Sequence, residues 1–102
     1  MNEKPVKLAN VDDIPVGKAI IVTIADGMEI ALFNVEGKIF ALENVCPHMG
    51  GPLGEGELKG DVVTCPWHDW QFDVKTGICI NMPGDDSRSL PIEVRGNEIF
   101  LA

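Results

Sequence analysis

Short β-branched and apolar runs recur along the chain between turn residues, and no window of eleven or more residues shows apolar positions at helical spacing. Residues 6–8 form a brief run and Ile14-Pro15-Val16-Gly17-Lys18 reads as a turn. Residues 19–24 are β-branched; residues 28–34 and 38–42 flank Val35-Glu36-Gly37, a hairpin-loop signal. Residues 62–64 and 71–74 are further strand candidates, and residues 90–94 and 98–101 flank a second hairpin signal, Arg95-Gly96-Asn97. The pattern predicts an all-β antiparallel domain without repeats or linkers. Two stretches break the rhythm. Residues 44–60 carry two Pro and five Gly, and residues 76–91 carry Gly77, Pro83, Gly84 and the pair Asp85-Asp86. Loops held on a rigid scaffold are where binding chemistry concentrates.

Length and charge narrow this picture. The 102 residues suit one domain, 1–102, with 45% hydrophobic and 24% charged residues, an ordinary globular balance. A domain this small gains from a metal or cofactor that ties its loops together. Sixteen acids against eight bases give a net charge of −8, which argues against nucleic acid and anionic membrane as partners. The longest apolar stretch, residues 19–25, is seven residues long, against the roughly 20 that a spanning helix needs. The first residues, Met1-Asn2-Glu3-Lys4-Pro5, lack a signal-peptide pattern, so the cytoplasm is the expected compartment. In that compartment three cysteines point to metal binding before disulfides.

The candidate chemistry lies in Cys46-Pro47-His48 and Cys65-Pro66-Trp67-His68, separated by sixteen residues. Both histidines of the chain and two of its three cysteines fall here. Thiolate and imidazole are the donors of zinc and iron–sulfur sites. A zinc finger commonly takes cysteines from one knuckle and histidines from another, whereas here each segment supplies one of each. If the two loops face one another, the cysteines can meet on one iron and the histidines on a second, the Rieske type of [2Fe–2S] centre. With neutral imidazoles and two ferric ions such a centre has no net charge, so it accepts an electron more readily than a four-cysteine cluster.

These two motifs, with the length of the chain, resemble the Rieske-type ferredoxins, small soluble partners of bacterial ring-hydroxylating oxygenases, from the first β-run to Leu101. The resemblance implies a Rieske fold: an antiparallel β-sandwich base with a small cluster-binding subdomain, roughly 44–84, made of two ligand loops. It implies one [2Fe-2S] cluster held by Cys46, His48, Cys65 and His68. It further implies a one-electron carrier, not an enzyme, that takes electrons from a flavin-dependent reductase and passes them to a terminal aromatic-ring oxygenase, with a monomer expected. The oxygenase itself needs two further histidines and a carboxylate for mononuclear iron, and no further histidine remains. A Rieske-like small subunit of assimilatory nitrite reductase is the alternative within the class; a zinc-stabilised interaction module is the alternative outside it.

The neighbouring residues add expectations. Gly50, Gly51 and Gly54 would let backbone approach the cluster, and Pro83-Gly84 falls where the family places a covering loop. Trp67 and Trp70 would shield the site, although core packing accounts equally well for Trp70. Cys79, between Ile78 and Ile80, reads as a buried small hydrophobe. Met49 and Met82 are free to lie near the tip. Residues 46–73 hold Glu55, Glu57, Asp61, Asp69 and Asp73 against Lys59 alone, a charge suited to steering toward basic partners. Relatives that oxidise quinols carry an extra cysteine in each loop and hydroxyls beyond the last histidine. Gly51, Trp67, Trp70 and Phe72 stand in those places, which implies no bridge and a low potential.

Overall fold

The computed structural model describes residues 6–46, 51–67, 69–81, 84 and 86–102. Among the described residues ten short strands make three antiparallel sheets, and the only helical pieces are single turns at Val11–Asp13 and Leu53–Glu55. No helix among them is long and apolar enough to cross a membrane. The first sheet has the order β1 (Val6–Asn10), β10 (Glu98–Leu101), β9 (Ile92–Arg95). The second runs β2 (Ala19–Thr23), β3 (Glu29–Val35), β4 (Lys38–Glu43), β8 (Ser89–Leu90). The third runs β5 (Glu57–Lys59), β6 (Val62–Thr64), β7 (Gln71–Asp73).

Burial on β3 explains how the sheets stack. Side chains alternate across a strand, yet every residue from Ile30 to Asn34 is buried. Ile30 and Leu32 join Leu8, Ala41, Leu90 and Ile99 in one apolar cluster, between the first and second sheets. Ala31 and Phe33 face the other way and join Leu42, Val63, Phe72 and both Cys46 and Cys65. The base is therefore a β-sandwich, as expected, and the third sheet lies on the outer face of the second. A continuous apolar run is what a strand covered on both faces requires.

The β3–β4 hairpin is tighter than the sequence suggests. Val35 pairs with Lys38, leaving only Glu36 and Gly37 in the turn. Both have positive φ, +53° and +94°, the signature of a type I′ turn whose twist matches its strands. Buried Asn34 secures it: its Oδ1 accepts from Gly37 N at 2.8 Å while its Nδ2 donates to Ile14 O at 2.8 Å.

Two other expectations change. The run 90–94 is not one strand. Pro91 has no N–H to give a ladder, so β8 ends before it on β4 and β9 begins after it on β10. β5 was not expected; it has three residues with charged ends, and it exists because β6 pairs with it across a two-residue turn. At that turn Lys75 bonds Asp61 at 2.8 Å, and this hydrogen bond with its charge holds the Asp61 carboxyl below its usual range.

The chain leaves the second sheet at the end of β4 and returns to it at β8. The two points adjoin: Glu43 N donates to Arg88 O at 2.8 Å, and Ala41 pairs with Leu90. The third sheet and both cysteine segments lie between these points in the sequence.

Removing a side chain from the middle of β3 tests the sandwich. Leu32→Ala should cost about 2–5 kcal/mol through lost transfer energy and a cavity, read by chemical denaturation. Ile78→Ala, at a half-exposed surface position, should change stability by about 0.5 kcal/mol or less. Equal effects would contradict the two-faced burial of β3.

Candidate metal centre

The first cysteine segment leaves β4 through Asn44, a buried polar residue. Its amide donates to Glu29 O at 2.9 Å, its Nδ2 donates to Glu29 Oε1 at 3.3 Å, and its Oδ1 accepts from Gly54 N at 2.6 Å. One side chain thus joins the start of the loop to its far end and both to β3. The second segment leaves β6, and Cys65 follows it directly.

The two segments are closed in the same way. Cys46 N donates to Gly51 O at 2.8 Å, and Cys65 N donates to Trp70 O at 2.7 Å. In each case the cysteine amide is tied to the carbonyl five residues on. The second loop has a further bond, Asp69 N to Cys65 O at 3.1 Å, and Asp69 has φ +58°. Cys46 and Cys65 are both fully buried and belong to the same apolar cluster. The loops also touch: a Cβ on Gly51 would lie 2.9 Å from Cys65 Sγ and 3.1 Å from the Trp67 ring. No side chain fits there, so the backbone of the first loop rests directly against the thiol of the second.

His48 and His68 lie outside the described residues, as do Pro47, Met49, Gly50, Met82, Pro83 and Asp85. The two cysteines of the expected donor set are buried in one apolar cluster. Two buried thiols from matched loops, with a glycine cradle at one of them, fit a metal centre that takes one cysteine from each loop.

Several neighbours differ from expectation. Gly54 does not approach the thiols; its missing side chain makes room for Ile21, whose Cγ1 would be 2.5 Å from a Cβ, and its amide serves Asn44. Gly56 is required where a Cβ would be 2.1 Å from Thr64 O. Trp67 covers Gly51 on one side but is 57% exposed, so it shields the site only in part. Trp70 packs half-buried against the apolar cluster. Gly84 is exposed with φ +99°. Cys79 is buried in the cluster, its amide held by Asp86 Oδ1 at 2.9 Å, as a small hydrophobe would be. The acidic segment is less bare than its sequence suggests, because Glu57 pairs with Lys59 at 3.1 Å and Asp61 with Lys75. Glu55, Glu57 and Asp69 rim an open groove of about 420 Å³ that reaches Cys65. Asn44 and Gly56 went unread in the sequence; a buried asparagine at a strand end leaves no periodic signal.

Comparison with known proteins decides the family. The model of the Rieske [2Fe-2S] domain matches residues 4–95. The chain belongs to this family. A Rieske relative from Ralstonia sp, the ferredoxin component of naphthalene 1,2-dioxygenase/salicylate 5-hydroxylase systems, is 35% identical over 99% of this chain and 97% of its own. A chain of the solved complex of reduced oxygenase and oxidized ferredoxin in carbazole 1,9a-dioxygenase superposes with a TM-score of 0.88, at 29% identity over 99% of this chain and 94% of that one. A putative NADH-dependent nitrite reductase small subunit from Mycobacterium tuberculosis has a TM-score of 0.85 at 23% identity, over 99% and 96% of the two chains; that likeness is one of fold. The cofactor that belongs with this Rieske chain is accordingly an iron–sulfur centre of Rieske type.

The cradle gives a direct test. Gly51→Ala should overpack the loop contact and destabilise by about 1–3 kcal/mol, and it should speed modification of Cys65 by a thiol reagent in metal-free protein. A variant with parental stability and parental thiol reactivity would remove Gly51 from the site.

Proposed function

We propose that this Rieske chain is a one-electron carrier that serves an aromatic-ring dioxygenase system, receiving electrons from a flavin-dependent reductase and delivering them to the terminal oxygenase. The observation that carries the reading is the pair of matched cysteine loops meeting at Gly51 and Cys65 Sγ. The ferredoxin components among its relatives, similar along nearly their whole length, support the partner assignment. The reading includes one domain, 1–102, with the loop-bearing part at roughly 44–84, a monomeric state and a cytoplasmic location.

Cys46 and Cys65 would hold one iron of a single [2Fe-2S] cluster through their thiolates, and His48 and His68 the other through imidazole nitrogens. When bound, the cluster supplies a one-electron couple. The protein's own part is to bind, orient and tune. Burial of both thiols excludes water from the sulfur side. The cysteine amides are committed to loop closure, which holds the backbone from which each sulfur projects. Phe72, fully buried in the same apolar cluster as both thiols, offers no hydroxyl to them. Hydrogen bonds to cluster sulfurs stabilise the reduced, more negative state, so a site without that donor has a low potential. Such a potential suits electrons that come from reduced flavin.

Ligation is checked by iron and sulfide analysis with EPR on the reduced protein. Cys46→Ser, His48→Ala, Cys65→Ser and His68→Ala should each lose the Rieske signal, and Cys79→Ser should keep it. A normal signal in His48→Ala beside an empty Cys79→Ser would overturn the donor set. A colourless parent holding zinc would overturn the carrier reading in favour of an interaction module.

Potentiometry checks the tuning. The midpoint should fall near the bottom of the Rieske range, about −150 to +300 mV. A value well above zero would reject the link to reduced flavin and leave the ligands in place.

A further inference from the structure

A side chain outside both cysteine loops holds the second loop from across the sheet edge. β7 is extended on its outer side by residues 78–80. Asp73 N donates to Ile78 O at 2.9 Å and Ile80 N to Gln71 O at 2.7 Å, with Phe72 opposite Cys79. In a regular antiparallel ladder Gln71 N would return its bond to Ile80 O. It does not. Gln71 N donates instead to Asn81 Oδ1 at 3.0 Å, so the Asn81 carboxamide takes the place of a backbone carbonyl.

The other end of the same carboxamide is also engaged. Asn81 Nδ2 donates to Asp69 O at 3.2 Å. The two bonds straddle Trp70, one to the carbonyl before it and one to the amide after it. Their orientation is unambiguous, since a backbone N–H needs the oxygen of the amide and a backbone carbonyl needs its nitrogen. The Cys79 thiol points at the same Oδ1 from 3.6 Å. Asn81 is an exposed residue, and an exposed asparagine has water for both of its ends, so two loop bonds mark a position where its carboxamide is held. What it grips is the turn containing the Cys65 N to Trp70 O and Asp69 N to Cys65 O bonds, with Asp69 in the left-handed region immediately after His68.

We propose that Asn81 is a positioning residue of the second ligand loop: its carboxamide, bonded to Asp69 O and Gln71 N, sets the orientation of the segment from Cys65 to Trp70 and thereby tunes the centre held there. The inference rests on the carrier reading for its electronic consequence and on the hydrogen bonds alone for its mechanical one. Partners of the ligands, beyond the ligands themselves, orient and tune metal sites, and a planar amide that bonds on both sides of one residue fixes a turn more firmly than either bond alone.

The test compares parent, Asn81→Ala and Asn81→Asp as holo proteins. Hydrogen exchange in the peptide covering residues 65–72 reads the clamp; EPR line shape and midpoint potential read the tuning. Asn81→Ala removes both bonds and should exchange about five- to tenfold faster in that peptide, with a broadened or shifted EPR signal and a displaced midpoint. Asn81→Asp keeps the acceptor for Gln71 N and loses the donor to Asp69 O. It should regain part of the protection while the EPR signal and midpoint remain altered. Unchanged exchange in Asn81→Ala overturns the clamp. Faster exchange with a parental EPR signal and midpoint in both variants overturns the positioning role and leaves a merely structural one. If Asn81→Ala does not assemble, Asn81→Asp decides by the same readouts. A parent without a Rieske signal would sink the carrier reading instead, and the exchange comparison would still judge the clamp.

Discussion

Between Ile30 and Phe33 the backbone of β3 has no solvent side, so each of these side chains must satisfy one of two apolar clusters. That requirement fixes the strand's register. A shift by one residue exchanges the faces, bringing Ile30 and Leu32 toward the thiols and Ala31 and Phe33 into the sandwich. The type I′ turn at Glu36-Gly37 and the two bonds of Asn34 oppose such a shift. The position of Cys46 and Cys65 therefore depends on a strand that contains no ligand.

Much of this was legible in the sequence. The strands of the two hairpins were visible because their apolar residues are β-branched or alternate and their turns contain Gly. The metal motifs were visible because donors at fixed spacing are chemistry written in the chain itself. Other features depend on contacts between distant segments. β5 has no pattern of its own and forms only beside β6. The break at Pro91 follows from the chain changing sheets, which makes one apolar run into two strands. Asn44 and Asn81 look like ordinary loop residues until the segments that they bridge are brought together.

The glycines of the first loop show how one composition hides different causes. Gly51 is bare so that backbone can rest on Cys65 Sγ; Gly54 is bare so that Ile21 can pack; Gly56 is bare because Thr64 O stands in the way of a Cβ. Only the first concerns the metal centre. The sequence shows that close approaches are needed, and the packing shows what approaches.

The adjoining exit and return of the chain at Glu43 and Arg88 has a consequence for how such a molecule can diverge. The intervening stretch behaves as a cassette set into a six-stranded frame plus one short closing strand. Its turns can lengthen or shorten without re-registering β4 against β8, because the frame closes through the pairing of Ala41 with Leu90. What the cassette must preserve is its floor, the surface of Ala31, Phe33 and Leu42 on which its apolar side chains sit. Variation in partner recognition can then accumulate on the rim of the cassette, while the frame beneath is held to a single shape.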